Sequence, residues 1–249
     1  MKLNTGWIAL SLACASLSAL AADPHAAHWG YAGHGAAPHW GDMQPEFATC
    51  KLGKDQSPID IPAADKADLP ALTLDYQASA AEVLNNGHTI QVNLADSGML
   101  KLGPDSYKLL QFHFHTPAEE KVQGHSYPLG GHLVHRNEAG QLAVVGVLFK
   151  LGKANPALNK VFAAMPSKPE AKAALPESFN PADLLPPSRG YYAYKGSLTT
   201  PPCSEGVRWQ VLKEPVELSK AQLAQFKKLY PMNARPVQPL NGRTVQSSQ

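Results

Sequence analysis

The chain is predicted to be mainly β: a single domain built on a central twisted, mostly antiparallel sheet flanked by short helices. Three observations predict it. Seven runs of alternating, β-branched or aromatic residues lie between positions 72 and 212. Short turn signals separate them. The 22 prolines and 19 glycines among 249 residues favour many short elements over long helices. A hydrophobic content of 44% supports a sizeable core, and a net charge of +2 is too small to point to nucleic acid or an anionic membrane as partner.

Taken in order, the N-terminus reads as a targeting segment. Lys2 is followed by "WIALSLACASLSALA" (7–21), an uncharged run about as long as a secretory h-region, roughly 7–15 residues. It ends in the small-x-small triplet Ala19-Leu20-Ala21. A spanning helix needs about 20 apolar residues, and Asp23 interrupts this run first. Residues 1–21 are therefore expected to be a signal peptide cleaved near Ala21 or Ala22; an uncleaved anchor and a lipoprotein at Cys14 are weaker alternatives. Residues 22–249 show no repeat and no composition break. They are expected to form one exported domain, periplasmic or else fully secreted, with no membrane attachment after cleavage.

Cleavage removes Cys14 and leaves Cys50 and Cys203. In an oxidising compartment two cysteines most simply pair, two independent thiols being the alternative. Residues 22–45 read as an irregular arm packed by Trp29, Tyr31 and Trp40. Its His25, His28, His34 and His39 are irregularly spaced, as solvated loop histidines are, and unlike a metal-binding tract. The strands follow: "LTLDY" (72–76), "TIQVNL" (89–94), "YKLLQFHFH" (107–115), "HLVHRN" (132–137), "LAVVGVLFK" (142–150), "YYAYKGSL" (191–198) and "VRWQVL" (207–212). Turns are expected at "NNG" (85–87), "SG" (97–98), "LGG" (129–131) and "EAG" (138–140). Helices are expected at "PALNKVFAAM" (156–165) and "SKAQLAQFKKLY" (219–230), the latter capped by Ser219.

In a strand, residues two apart share a face. Gln111, His113 and His115 then point one way, while Leu110, Phe112 and Phe114 point into a core. Sixteen residues separate His115 from His132, enough for a hairpin-like return that lays "HLVH" beside "HFH". His132 and Val134 share one face of that second strand, and Leu133 and His135 the other. Three imidazoles with a fourth position left to water are the form of a catalytic zinc site. Hydrogen-bonded core or surface histidines are the other reading of the same pattern, and the one expected for His135.

The wider context bears on that choice. "HWGY" (28–31), "QSPIDI" (56–61), "NNGHTIQV" (85–92), "QFHFHTPAEE" (111–120), "GHLVHRN" (131–137), "KGSLTTPPCSEGVRW" (195–209) and "NARPVQPLNGR" (233–243) together resemble the α-class carbonic anhydrases, especially their exported bacterial members. The resemblance spans nearly the whole mature chain in the same order. It implies an α-carbonic-anhydrase-like fold and a zinc lyase that interconverts carbon dioxide and bicarbonate, with ester cleavage as a side activity. One Zn²⁺ per chain would be held by His113, His115 and His132. Thr199 would orient the nucleophile and donate its own O–H in a hydrogen bond to Glu119, and Thr200 would help bind bicarbonate. Val134, Val144, Leu198, Val207 and Trp209 would form the apolar wall for carbon dioxide. His88 would shuttle protons, its unperturbed pKa of about 6.5 suiting neutral pH. Tyr31, Asn86 and Gln111 would be polar cleft residues, with Gln111 bonded to a ligand histidine, and Cys50 would pair with Cys203. Neither composition nor motif chooses between monomer and dimer.

Two positions depart from the family pattern. Gly130 stands where relatives carry a glutamate that orients the third histidine, a loss typically worth about 10–100-fold in metal affinity or activity. Water or a backbone carbonyl would have to substitute. Glu120 stands where many relatives have a buried histidine, and a second acid there is expected to raise the pKa of Glu119. Weaker zinc binding than usual for the family is the resulting expectation. A non-catalytic zinc-containing binding module on the same fold is the alternative function; retention of all three histidines, Thr199 and His88 favours catalysis. The absence of H-E-x-x-H argues against a zinc peptidase.

Overall fold

All seven runs form strands in the computed structural model, which describes residues 28–249; the signal-peptide expectation, His25 and Cys14 lie outside the described residues. The strands that matter here are β1 (Thr73–Tyr76), β2 (Ala81–Asn85), β3 (Ile90–Leu94), β4 (Gly98–Leu102), β5 (Asp105–His115), β6 (Leu129–Arg136), β7 (Leu142–Leu151), β8 (Lys172–Ala174), β9 (Tyr191–Ser197), β10 (Glu205–Leu212) and β11 (Val216–Leu218). The main sheet runs β8-β2-β3-β5-β6-β7-β10-β9, and β9 is extended by two-residue strands at Gln246–Ser247 and Asp65–Lys66. A branch of β4 and β1 pairs with the first half of β5. The pairings are mostly antiparallel. Three are parallel, however, β7 with β10, β7 with β11 and the terminal edge pair, so the sheet is mixed.

One face of the sheet packs under the helices α1 (Pro156–Ala163) and α2 (Lys220–Lys227). Phe114 meets Phe162 and Phe226 edge-on, at centroid distances of 5.5 and 6.1 Å. Both helices start where their caps dictate. Asn155 accepts from the amides of Ala157 and Leu158, and Ser219 and Gln222 form a reciprocal capping box. Gln222 also bonds both backbone groups of Asn155, tying the two helix starts together.

The structure corrects two sequence expectations. Leu110 is not part of the core; a register shift between Val134 and His135 of β6 offsets the pairing, and Leu109 is the residue buried beside Phe112 and Phe114. "LGG" (129–131) is not a turn either. It opens β6, with Gly130 opposite His115 and Gly131 opposite Phe114. Close packing explains both glycines. A Cβ on Gly131 would come within 3.3 Å of the Phe149 ring, and one on Gly130 within 3.1 Å of Ala118.

The arm folds onto the far end of the chain. Buried Trp40 donates its indole N–H to the carbonyls of Gly30 (2.9 Å) and Gly35 (2.8 Å). His28, His34 and His39 are exposed. Cys50 and Cys203 form a disulfide closing a separation of 153 residues. Arg235, only 3% exposed, donates to Gln56 Oε1 and to the carbonyls of Ser57 and Cys50. The bridge thus joins the arm to the loop that follows β9. We expect C50S/C203S to lose about 2–5 kcal/mol of stability, read as a lower denaturation midpoint in urea with a steeper slope, since the unbridged unfolded chain exposes more surface; an unchanged midpoint would show that Arg235 and the aromatic packing hold the arm without the bridge.

Candidate active site

Sheet register builds the site. β3, β5, β6 and β7 align Gln91, His113, His132 and Gly146 in one cross-strand row. The next row holds Gln111, Val134, Val144, Trp209 and Tyr194. Gly146 leaves the floor beside His132 without a side chain. The three imidazoles converge, with ring centroids 4.7–5.4 Å apart, and one nitrogen of each lies within 4.8 Å of the others.

Each ring uses its outer nitrogen for a hydrogen bond. His113 Nδ1 bonds Gln111 Oε1 (2.9 Å), His115 Nδ1 the Asn233 carbonyl (2.7 Å), and His132 Nε2 Glu120 Oε2 (3.2 Å). All three partners accept, so the outer nitrogens carry the protons and the inner ones present lone pairs. His115 Nε2 is buried with no hydrogen-bond partner among the described residues. A buried, unpartnered lone pair beside two others fits a metal ion. The donor set of three neutral imidazoles suits zinc with an open position.

Burial and charge act in opposite directions on these groups. Burial pushes His113 down to about 3, helped by the charge of His132, and drives His115 well below the ordinary value for the same reasons. Burial also opposes protonation of His132, but the Glu120 and Glu119 carboxylates outweigh it and raise its pKa. Glu119 is pushed up to about 7, chiefly by burial and further by Glu120, while His132, the Arg235 amide and the Thr199 hydroxyl favour its ionised form. Its Oε1 accepts from Arg235 N at 2.7 Å. Its Oε2 lies 3.5 Å from His115 Nε2 and 3.8 Å from His132 Nδ1 without a hydrogen bond of normal geometry.

Above the histidines opens a cleft of about 170 Å³. Tyr31, Asn86, His88, Gln111, Val134, Val144, Leu198, Thr199, Thr200 and Trp209 line it with the three imidazoles. Val207 does not; it is buried behind the wall, in the cluster that holds Val134, Val144 and Trp209. Leu198, Thr199 and Thr200 sit on the loop after β9, held by the Leu198–Ser204 and Cys203–Thr200 backbone bonds and by the disulfide. Asn86 Oδ1 accepts from the amides of His88 and Thr89, fixing the turn at Gly87, whose φ is +82°. The His88 ring stacks on Trp29 (3.6 Å, 7°) and lies 5.4 Å from the His28 ring. Tyr31 packs edge-on against Trp29 and Trp40. His135 is turned away from the cleft, between Tyr76 OH (2.6 Å) and the Ala143 carbonyl.

Several contributors carried no role in the sequence reading: Asn233, Arg235, and Trp29 as a partner of His88. Their stretches matched the family pattern, but no periodicity or spacing assigns them a contact. Glu120 was read as an acid that would disturb Glu119. It does push Glu119 upward, yet it also stands against His132, so the expectation that His132 lacks a protein carboxylate is overturned.

Comparison with known proteins agrees with this geometry. A family model described as eukaryotic-type carbonic anhydrase matches residues 36–249. The chain is 44% identical over 219 residues to a carbonic anhydrase of Pectobacterium carotovorum, covering 88% of this chain and 90% of that protein. It is 45% identical over 241 residues to one of Klebsiella pneumoniae, covering 94% and 98%. Among solved structures, the α-carbonic anhydrase of Thermovibrio ammonificans in complex with the inhibitor sulfanilamide superposes with a TM-score of 0.86 at 50% identity, over 88% of this chain and 98% of that one. The chain belongs to the eukaryotic-type, or α, carbonic anhydrase family and is an enzyme of that class.

Proposed function

We propose that the chain catalyses the reversible hydration of carbon dioxide to bicarbonate and a proton, with one Zn²⁺ held by His113, His115 and His132. The observation that carries this reading is the convergence of three imidazoles, His115 and His132 buried and His113 half-buried, whose outer nitrogens are all engaged by acceptors. When bound, zinc supplies an activated water, carbonic anhydrase being the general example in which the pKa of such a water falls to about 7 from 15.7.

The chain's own residues do the rest. Thr199 accepts a hydrogen bond from the attacking water and donates its own O–H in a hydrogen bond to Glu119, which leaves a lone pair of the water aimed at the substrate. Glu119 can receive that bond because Arg235 N–H already holds its other oxygen. Val134, Val144, Leu198 and Trp209, backed by Val207, keep water from the apolar side, where carbon dioxide would rest. Thr200 offers a hydroxyl to the bicarbonate oxygen. His88 takes up the released proton at a ring nitrogen and passes it to solvent.

Export with cleavage near Ala21 or Ala22 accords with the disulfide, which persists in oxidising compartments. Among the described residues no helix is long and apolar enough to cross a membrane.

The reading is tested by stopped-flow carbon dioxide hydration on the chain from residue 22, with zinc measured on the same sample. We expect about one zinc per chain and rapid turnover. Full occupancy without turnover would favour the binding-module alternative.

A second test concerns proton transfer. H88A should slow hydration in dilute buffer by about a hundredfold, the low end of what a positioned base contributes, with recovery as small buffers are added. Burial and then His28 lower the pKa of His88, against an opposing pull from Glu170. Neutral His88 is the form that accepts a proton, so the His88-dependent rate should persist below pH 6.5 and fall only as pH drops through the lowered value. H28A should move that fall to higher pH; an unmoved profile would remove His28 from the account.

A further inference from the structure

We infer that Glu120 is the positioning residue for the third zinc ligand, and that Gly130 is the space that lets it act. The inference rests on the zinc reading above and concerns what tunes that site.

The geometry singles out His132. Its two companions are oriented by neutral acceptors, a side-chain amide at His113 and a backbone carbonyl at His115. His132 alone is oriented by a carboxylate. Glu120 is 0% exposed, and this bond to His132 is its single hydrogen bond among the described residues; its other oxygen, Oε1, is buried with no partner. A carboxylate is costly to bury, and an orphaned oxygen adds to that cost. No other contact of Glu120 among the described residues offsets this cost. An ionised acceptor on Nε2–H fixes the tautomer that bares Nδ1 and strengthens that nitrogen as a donor to a cation.

Gly130 belongs to the same device. A Cβ at this position would lie 3.1 Å from both Cα and Cβ of Ala118 and 3.8 Å from the amide of Glu119, the residues that lead directly into Glu120. A Cβ at 130 would make that segment give by a few tenths of an ångström, shifting the carboxylate relative to His132. The two departures from the family pattern therefore act as one exchange. The acid is supplied from the loop after β5 instead of from β6, and the strand gives up its side chain to admit it.

The experiment follows zinc release from the loaded chain into excess chelator and, separately, melting of the metal-free chain. We expect E120Q, which keeps an uncharged acceptor, to release zinc about tenfold faster, and E120A, which leaves the ring N–H unpaired, up to about a hundredfold faster. G130A keeps the carboxylate and should also release zinc faster. Metal-free melting of E120Q should stay near that of the parent, separating metal tuning from a merely structural loss. Should E120Q or E120A fail to fold, faster release from folded G130A carries the expected result. Release from E120Q or G130A within twofold of the parent would overturn the pairing alone. A parent chain that takes up no zinc would overturn both the zinc reading and this inference.

Discussion

The pairing of β5 with β6 is the constraint on which the site depends. It sets His113 against His132 and puts His115 across from a residue with no side chain. A slip of one residue would send every imidazole on the moved strand to the opposite face. The slip is resisted from the other side of the sheet, where Phe112, Phe114 and Leu133 are locked into the core with Val145 and Phe149. The bulge that displaces Leu110 lies beyond Gln111, so the alternation from Gln111 to His115 is intact where the ligands are. Apolar packing on one face thus fixes polar geometry on the other.

That polar geometry is costly to assemble. Five ionisable side chains meet here, His115, His132, Glu119 and Glu120 buried and His113 half-buried at the cleft floor. Desolvation keeps two imidazoles neutral, which is the form a cation requires, and the acids gather around the third. The loop holding Thr199 and the segment holding Asn233 and Arg235 close over this group. Both are irregular, and both are held by specific bonds: the disulfide for one, the buried guanidinium and the Asn233 side chain for the other. Asn233 is the most connected. It accepts from the Thr116 amide, donates to the carbonyls of Phe114 and His88, and offers its own carbonyl to His115.

Much of this was legible before any coordinates. Strand alternation marked the face of β5 that carries Gln111, His113 and His115, because period-2 patterning is a local property. The start of α2 was legible for the same reason, since Ser219 acts within three residues. What could not be read depends on contacts distant in sequence. The bulge that swaps Leu110 for Leu109 arises from how β6 pairs, not from β5 itself. The glycines of "LGG" looked like a turn because turns and close-packed strands both use residues without side chains. Arg235 and Asn233 reach back over a hundred residues along a segment with no period. Glu120 was misjudged in part because its neighbour in sequence, Glu119, was visible, while its neighbour in space, His132, was not.

The stack of His88 on Trp29 has an energetic side. Aromatic pairs of this kind are worth about 0.5–1.5 kcal/mol, so any rotation of the imidazole toward the histidine trio must first give up that contact. The ring therefore spends about two- to thirteenfold more time parked than a free one would. The parking is selective, since an imidazolium is drawn to an indole face more strongly than a neutral ring. Through that contact the irregular arm takes a share in where the His88 imidazole rests.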